Sequence, residues 1–338
     1  MKSWVLPAAA MVAVEYAFAL LIGFRVGFRY RIPLETYAMI GAGIASLGVL
    51  IFVIAKFVAY AREREPRPLP RLLSDLPKCS SFVVGTFLVA LEMGALTWTK
   101  IMLPIAAPFW ADPMLATFGE VIFGAAPWRV AYALFGWAAP MMDAAYVTWV
   151  PIKFATLAIL LTLPESRTKT RALVSYFLIM ACTALGQYLL SSGGPIFYAR
   201  LGFGNRFADL PIEPWVRVTT SYLWSDYSQA GGDIGAGISA MPSLHVAIAL
   251  WIALVVRAYV PRLAVLGYIY FALILIGSVL LGWHYVADGL AAIGITMFAW
   301  SLAGRPVRRD EGATEAFATV PGLATERQSL GMADAIGN

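Results

Sequence analysis

Histidine, cysteine and charge are what this 338-residue chain has least of: two His, two Cys and 13% charged residues stand against 60% hydrophobic ones. With a mean hydropathy of +0.73, so little charge excludes an ordinary soluble domain and points to an integral, multi-pass membrane protein. The formal charge of +5 comes without a basic tract interleaved with aromatics, so nucleic acid is not an expected partner. Arginines flanking membrane spans account for the excess. Cys79 falls near one membrane edge and Cys182 in the middle of a span, which argues against a disulfide between them and leaves the redox compartment open. Strand-like alternation is also missing, which excludes a transmembrane barrel. Finally, no small-residue cleavage site follows the first apolar segment, which is therefore expected to remain as a helix.

What is present is apolar runs of spanning length, at roughly 4–24, 37–60, 82–106, 141–163, 172–190, 242–260, 263–282 and 284–303. Their backbones must be satisfied within each segment, so the expected fold is all-α: a polytopic bundle of about eight transmembrane helices. The expected organisation is one transmembrane domain over 1–309 and a polar, disordered tail over 310–338. Between the third and fourth runs, Pro113, Pro127 and Pro140 with Gly119, Gly124 and Gly136 break an apolar stretch. Interfacial helices are the expectation there, with a re-entrant pair as the competing reading.

Basic residues orient the spans. Arg62, Arg64, Arg67, Arg71 and Lys78 follow the second run, Arg167, Lys169 and Arg171 the fourth, Arg257 and Arg262 the sixth, and Arg305, Arg308 and Arg309 the eighth. These share one parity, which predicts a cytoplasmic face carrying both termini; Arg25, Arg29 and Arg31 run against it. Segment 191–241 then lies on the outer, periplasmic or luminal side. The membrane itself, a bacterial inner membrane or an endomembrane, stays open.

Both histidines open spans of the same direction and so meet at the outer face. Asp288 follows His284 by one helical turn, which on a helix puts the carboxylate on the same face. Pro242 suits the first position of a helix whose N-terminal amides, at Ser243, Leu244 and His245, favour a phosphate. Asp233, among Gly231, Gly232, Gly235 and Gly237, is a candidate for orienting a polar headgroup. Two imidazoles and a carboxylate suit nucleophilic and acid/base chemistry and also the ligation of a divalent metal. Ser243 lies about 200° around the helix from His245, which fits phosphate contact better than nucleophilic attack. Glu15, Glu92, Lys100 and Asp143 are ionisable residues within spans, for which mutual pairing is the simplest expectation.

The runs MPSLHVA at 241–247 and HYVAD at 284–288 resemble the second and third signatures of the PAP2 superfamily of lipid phosphatases and phosphotransferases. The weaker likeness of the hydrophobic pattern extends over about 170–303, a PAP2-like core in the C-terminal half. Leu244 stands where the phosphatase branch has glycine, and PSLH looks more like the branch containing inositol phosphorylceramide synthase. Gly277 and Ser278 occupy the place of the phosphatases' Ser-Arg pair, and their first signature has no counterpart. The segment SSGGPIFYARL at 191–201 resembles the synthase branch's first motif, which implies that Gly194, Pro195 and Tyr198 line the pocket. Arg200, Arg206, Arg217 and Lys153 are the candidate phosphate-binding cations by position. The resemblance implies catalysis by His284 as nucleophile, Asp288 as its partner and His245 as acid and base. It calls for no metal and no cofactor. The implied partners are membrane lipids: a phospholipid donor and a ceramide-like or other lipid alcohol. Two alternatives accompany this phosphotransferase reading: a lipid phosphate phosphatase using water, and a non-catalytic lipid or anion binder or transporter.

Overall fold

Apolar runs whose amides and carbonyls must bond internally form helices nearly throughout. The structure is a computed structural model that describes residues 3–28, 33–229 and 231–305, with no strand among them. The helices are α1 (Val5–Arg25), α2 (Leu34–Glu63), α3 (Pro68–Asp75), α4 (Ser80–Ala106), α5 (Asp112–Phe123), α6 (Pro127–Phe135) and α7 (Ala139–Val147). They continue as α8 (Trp149–Thr162), α9 (Arg167–Gly186), α10 (Pro214–Ser228), α11 (Leu244–Tyr259), α12 (Ala264–Leu280) and α13 (Val286–Ala303). The tail expected at 310–338, with the cations Arg29, Arg31, Arg308 and Arg309, lies outside the described residues.

Among the described residues, five segments are long and apolar enough to cross a membrane: α1, α2, Pro68–Ala106, Pro261–Leu280 and α13. A sixth is available if Pro127–Val147 and Trp149–Thr162, bent by 43°, act together. Eight such helices were expected, and the differences have physical causes. α9 carries Arg167, Lys169 and Arg171 in its opening turns. α11 has only 16 residues, about 24 Å of helix against a hydrocarbon core of about 30 Å. The run expected at 141–163 breaks at Thr148 because Pro151 offers no amide to the Val147 carbonyl and crowds it.

α11 is the centre of the bundle. Every residue from Val246 to Val255 is buried, as a helix that is apolar all round requires. It packs on α9, α12, α13 and α8. Directional bonds fix these neighbours: Trp251 Nε1 donates to Ala172 O at 2.9 Å, Thr296 Oγ1 to Ala247 O at 3.1 Å, and Arg171 Nε to Trp300 O at 2.9 Å. α4 packs against α1 and α2 on the opposite flank. Lys169, fully buried, closes the end of α8 by donating to Leu163 O at 2.6 Å and Leu161 O at 3.2 Å, and to Ser81 Oγ at 2.9 Å.

Two of the ionisable residues inside the spans find polar partners that the expected mutual pairing did not foresee. Asp143 accepts the amides of Trp215 and Val216 at 2.8 and 3.2 Å and so caps α10 from another helix. Glu92 accepts from Tyr176 Oη at 3.3 Å.

Candidate active site

The turn between α12 and α13 builds one half of the site. Leu281 ends α12 and Gly282 adopts φ +75, a left-handed conformation that glycine takes without a Cβ penalty. The chain reverses there, and the His284 amide bonds back to Ser278 O at 3.0 Å. α13 does not start until Val286, with Tyr285 as its N-cap. His284 therefore precedes the helix, and its expected one-turn spacing from Asp288 along a helical face does not apply. Their contact arises from capping instead: Asp288 Oδ2 accepts the Tyr285 amide at 2.9 Å and lies 3.3 Å from His284 Nδ1.

His284 Nδ1 is also 2.9 Å from the carbonyl oxygen of Ala240. A carbonyl only accepts, so Nδ1 carries the proton and Nε2 keeps its lone pair. The imidazole is buried, and Asp288 behind it is fully enclosed. Two acceptors at Nδ1 thus leave Nε2 as the nitrogen with a lone pair to offer.

The N-terminus of α11 builds the second half. Ser243 is the N-cap: its hydroxyl accepts the Val246 amide at 3.3 Å, and its own amide donates to Asp288 O at 3.2 Å. Those two bonds, with full burial, fix Ser243 at the start of α11. Pro242, expected at the first helical position, lies before the cap. His245 is the second helical residue and is partly exposed. Its ring is held between Tyr146, at 4.6 Å between centroids, and Trp149, at 4.4 Å. The two histidine rings lie 5.9 Å apart, inclined by 56°.

The remaining sequence candidates divide. Gly194, at φ +95, brings the chain so close to Trp283 O that a side chain would collide with it. Leu244 packs against the core beside His245. Lys153 Nζ lies 4.6 Å from the Trp149 ring centroid, so it reaches the aromatic wall of His245. Arg200 rests on Trp224, which stacks on Phe197, and Phe197 meets Trp283. Tyr198 belongs to a cluster with Leu115 and Tyr285, where its ring packs on Phe203 and Phe207. Arg206 is bound to Glu120 at 2.6 Å and to Thr117 at 3.1 Å. Asp233 is exposed, and its amide donates to Asp226 at 3.1 Å. Arg217 is exposed on α10. Neither Arg206 nor Asp233 has a contact with the histidines among the described residues.

Three residues at the site went unread in the sequence. Tyr146 and Trp149 carried no signal beyond being aromatic in an apolar run. Asp112 accepts the amides of Gly193 and Gly194, each at 2.9 Å, and the Tyr285 hydroxyl at 2.8 Å. It thereby ties the 193–194 loop to the residue following His284. Burial pushes its carboxyl above the usual range, against the pull of those donors. The available signal was an Asp-Pro pair opening a short helix.

Lys100 and Lys153 both act electrostatically on His245, which puts cations near the pair although no arginine precedes His284. Among the described residues no group of three or more His, Cys, Asp or Glu is arranged to hold a metal ion. A nucleophilic nitrogen with a fixed tautomer, a second imidazole across a gap and nearby ammonium groups can attack an electrophilic centre, move a proton and compensate an anion.

No curated protein and no solved structure matches the chain. A family profile does, over residues 122–302, which is more than half of the chain and includes both histidines and Asp288. On that match, the chain belongs to the PAP2 superfamily.

Proposed function

We propose that this membrane protein is a lipid phosphotransferase that moves a phospho-headgroup from a glycerophospholipid to a ceramide-like or other lipid alcohol. Membership of the superfamily points to phosphatase or phosphotransferase chemistry on lipids. The observation that carries the reading is the pair of imidazoles 5.9 Å apart, one of them backed by a buried carboxylate.

His284 Nε2 attacks the phosphorus, a P–N bond forms, and the bond to the diacylglycerol oxygen breaks. His245, protonated once the anionic phosphodiester lies beside it, gives its proton to the departing alkoxide. The neutral His245 then takes the proton of the incoming hydroxyl, whose oxygen displaces the phosphohistidine nitrogen and regenerates both side chains. Proton and phosphoryl group balance over the two displacements, and neither step requires a cofactor. Asp288 and the Ala240 carbonyl stabilise the charge that develops on His284, because both accept from Nδ1.

Lys153 and Lys100 are the cations we assign to the phosphate oxygens in place of the missing arginine, supported by the place of Lys153 Nζ 4.6 Å from the Trp149 ring that packs on His245. Tyr146 Oη and Trp149 Nε1 are buried donors with no partner among the described residues, and we assign them to the same oxygens. Arginines of common parity support a site on the outer face with cytoplasmic termini, and α5 and α6 suit the outer interface.

The test supplies purified protein in lipid with a donor labelled in its headgroup, with and without a lipid alcohol. Labelled lipid that appears only with the alcohol supports transfer. Release of the free headgroup phosphate regardless of the alcohol supports the phosphatase, in which water plays the acceptor. No product in either arm would leave a binding protein and defeat the proposal.

A further inference from the structure

Both sides of the frame around His284 lead back to one carboxylate outside the stretch that matches the family. Asp112 opens α5, is fully buried and lies ahead of residue 122, where the match begins. Its Oδ2 accepts the Gly193 amide at 2.9 Å, and its Oδ1 accepts the Gly194 amide at 2.9 Å and the Tyr285 hydroxyl at 2.8 Å. Among the described residues Asp112 makes no hydrogen bond to either histidine. A buried carboxylate with donors from two separate segments is a polar knot whose members cannot move singly without stranding a buried group.

One side of the frame is the loop at 191–196. Ser191 O accepts the amides of Trp110 and Ala111 at 3.1 and 3.0 Å, which pins the loop to the residues just before Asp112. Ser192 O accepts the Ala240 amide at 2.8 Å, and Ala240 O accepts from His284 Nδ1 at 2.9 Å. The Ile196 amide donates to Gly282 O at 2.9 Å, in the turn that precedes His284. The other side is Tyr285, whose hydroxyl reaches Asp112 while its amide reaches Asp288 Oδ2 at 2.9 Å. The bonds thus close a ring through Asp112, the loop, Ala240, His284 and Tyr285.

We infer that Asp112 is a positioning residue for His284: by fixing the 193–194 loop and Tyr285 together, it keeps the Ala240 carbonyl on Nδ1 and so aims Nε2. Without it, Nδ1 is left with the longer contact, Asp288 at 3.3 Å, whose oxygen already serves the Tyr285 amide. Only an ionised carboxylate meets all three donors, because both of its oxygens accept and neither donates. A slightly displaced nucleophile loses rate rather than binding. The functional meaning of the assignment rests on the reading of His284 as nucleophile, but the imidazole can be observed without turnover.

The test compares full-length native protein, Asp112→Asn and Tyr285→Phe in nanodiscs. Asparagine keeps the shape but turns an NH2 group toward one of the three donors. In Asp112→Asn, kcat should fall by roughly 10²-fold with the KM for the donor lipid little changed, whether the product is labelled lipid or free headgroup phosphate. With 15N-labelled histidine only two rings give signals, and a His245→Gln sample assigns them. In the native protein the proton on His284 Nδ1 should exchange slowly with water; in Asp112→Asn its resonance should shift and its exchange quicken. Tyr285→Phe removes one donor and leaves both loop amides bonded, so it should show both changes in smaller degree. An unchanged His284 resonance and kcat in Asp112→Asn, even with a lower unfolding midpoint, would make Asp112 a structural tie and overturn the inference. Should Asp112→Asn not fold, the same two readouts in Tyr285→Phe decide, and no change there overturns it equally. If the native protein forms no product while the Nδ1 proton still responds to Asp112→Asn, the proposed reaction fails and the positioning role stands.

Discussion

One nitrogen of His284 faces two acceptors, the Ala240 carbonyl at 2.9 Å and Asp288 at 3.3 Å. The carbonyl alone fixes the tautomer, so the carboxylate is left to balance the charge that appears when Nε2 bonds to phosphorus. Asp288→Asn keeps an acceptor for the Tyr285 amide and removes that charge. Turnover should fall by about 10²-fold while the unfolding midpoint stays within measurement error; a fall in both together would assign Asp288 to capping alone. His284→Ala should abolish turnover and the acid-labile phosphohistidine that a brief chase with labelled donor captures. Full activity in that variant rules out the covalent route. At this scale the sequence was most informative where residues are scarce. With two histidines in the chain, their convergence could be read from two span starts and one parity. The Asp288 contact was foreseen for the wrong reason, since the helix begins after His284. Asp112 stayed hidden because two of its three partners are backbone amides about eighty positions away, which carry no signature in residue type.

Among the helices, the polar groups that looked like defects in apolar runs serve as ends for their neighbours. Asp143 caps α10, and Asp143→Ala should cost about 1 kcal/mol, the value of an N-cap, seen as a lower unfolding midpoint that Asp143→Asn largely restores. Lys169→Met strips a donor from the buried Leu161 carbonyl, the half-buried Leu163 carbonyl and Ser81 at the end of α8. Its cost should be larger, about 1–3 kcal/mol for each group left unsatisfied. Hydrogen bonds from Arg206 hold the Glu120 carboxyl below its usual range and so tie α5 to the loop after Tyr198. A depressed carboxyl stabilises above its unfolded value of about 4.3 and loses that contribution as pH falls through the folded one. Protection factors in α5, taken against the intrinsic exchange rate at each pH, should therefore fall on acidification from about pH 5 to 3, and Glu120→Gln should flatten that response. Hydropathy located the helices well and their ends poorly. Breaks such as Thr148 depend on one proline's missing amide, and caps such as Asp143 depend on a partner distant in sequence.

For the whole molecule, the deciding quantity is which side each loop faces. The cations at 62–78 and the segment at 191–241 are predicted on opposite sides, and α4 is the first of the three apolar runs between them. Its 27 residues give about 40 Å of helix, enough to cross the hydrocarbon core with some tilt. Among the described residues fewer helices than the apolar runs suggested have the length and hydropathy of a span, and α11 is one that is short and enclosed by other helices. Thiol accessibility measures the topology directly. Cys79, a partly exposed thiol just before α4, and Asn205, exposed in the outer segment, are suited to it. In a Cys182→Ser background, a membrane-impermeant maleimide added outside sealed vesicles of native orientation should miss Cys79 until the membrane is opened. In a Cys79→Ser, Asn205→Cys partner it should label at once. The reverse pattern would turn the histidine pair toward the cytoplasm and require a cytoplasmic donor and acceptor. Labelling of both thiols from one side would mean that an even number of the runs between them crosses, and the arginine rule would then fail for this chain as it already does at Arg25.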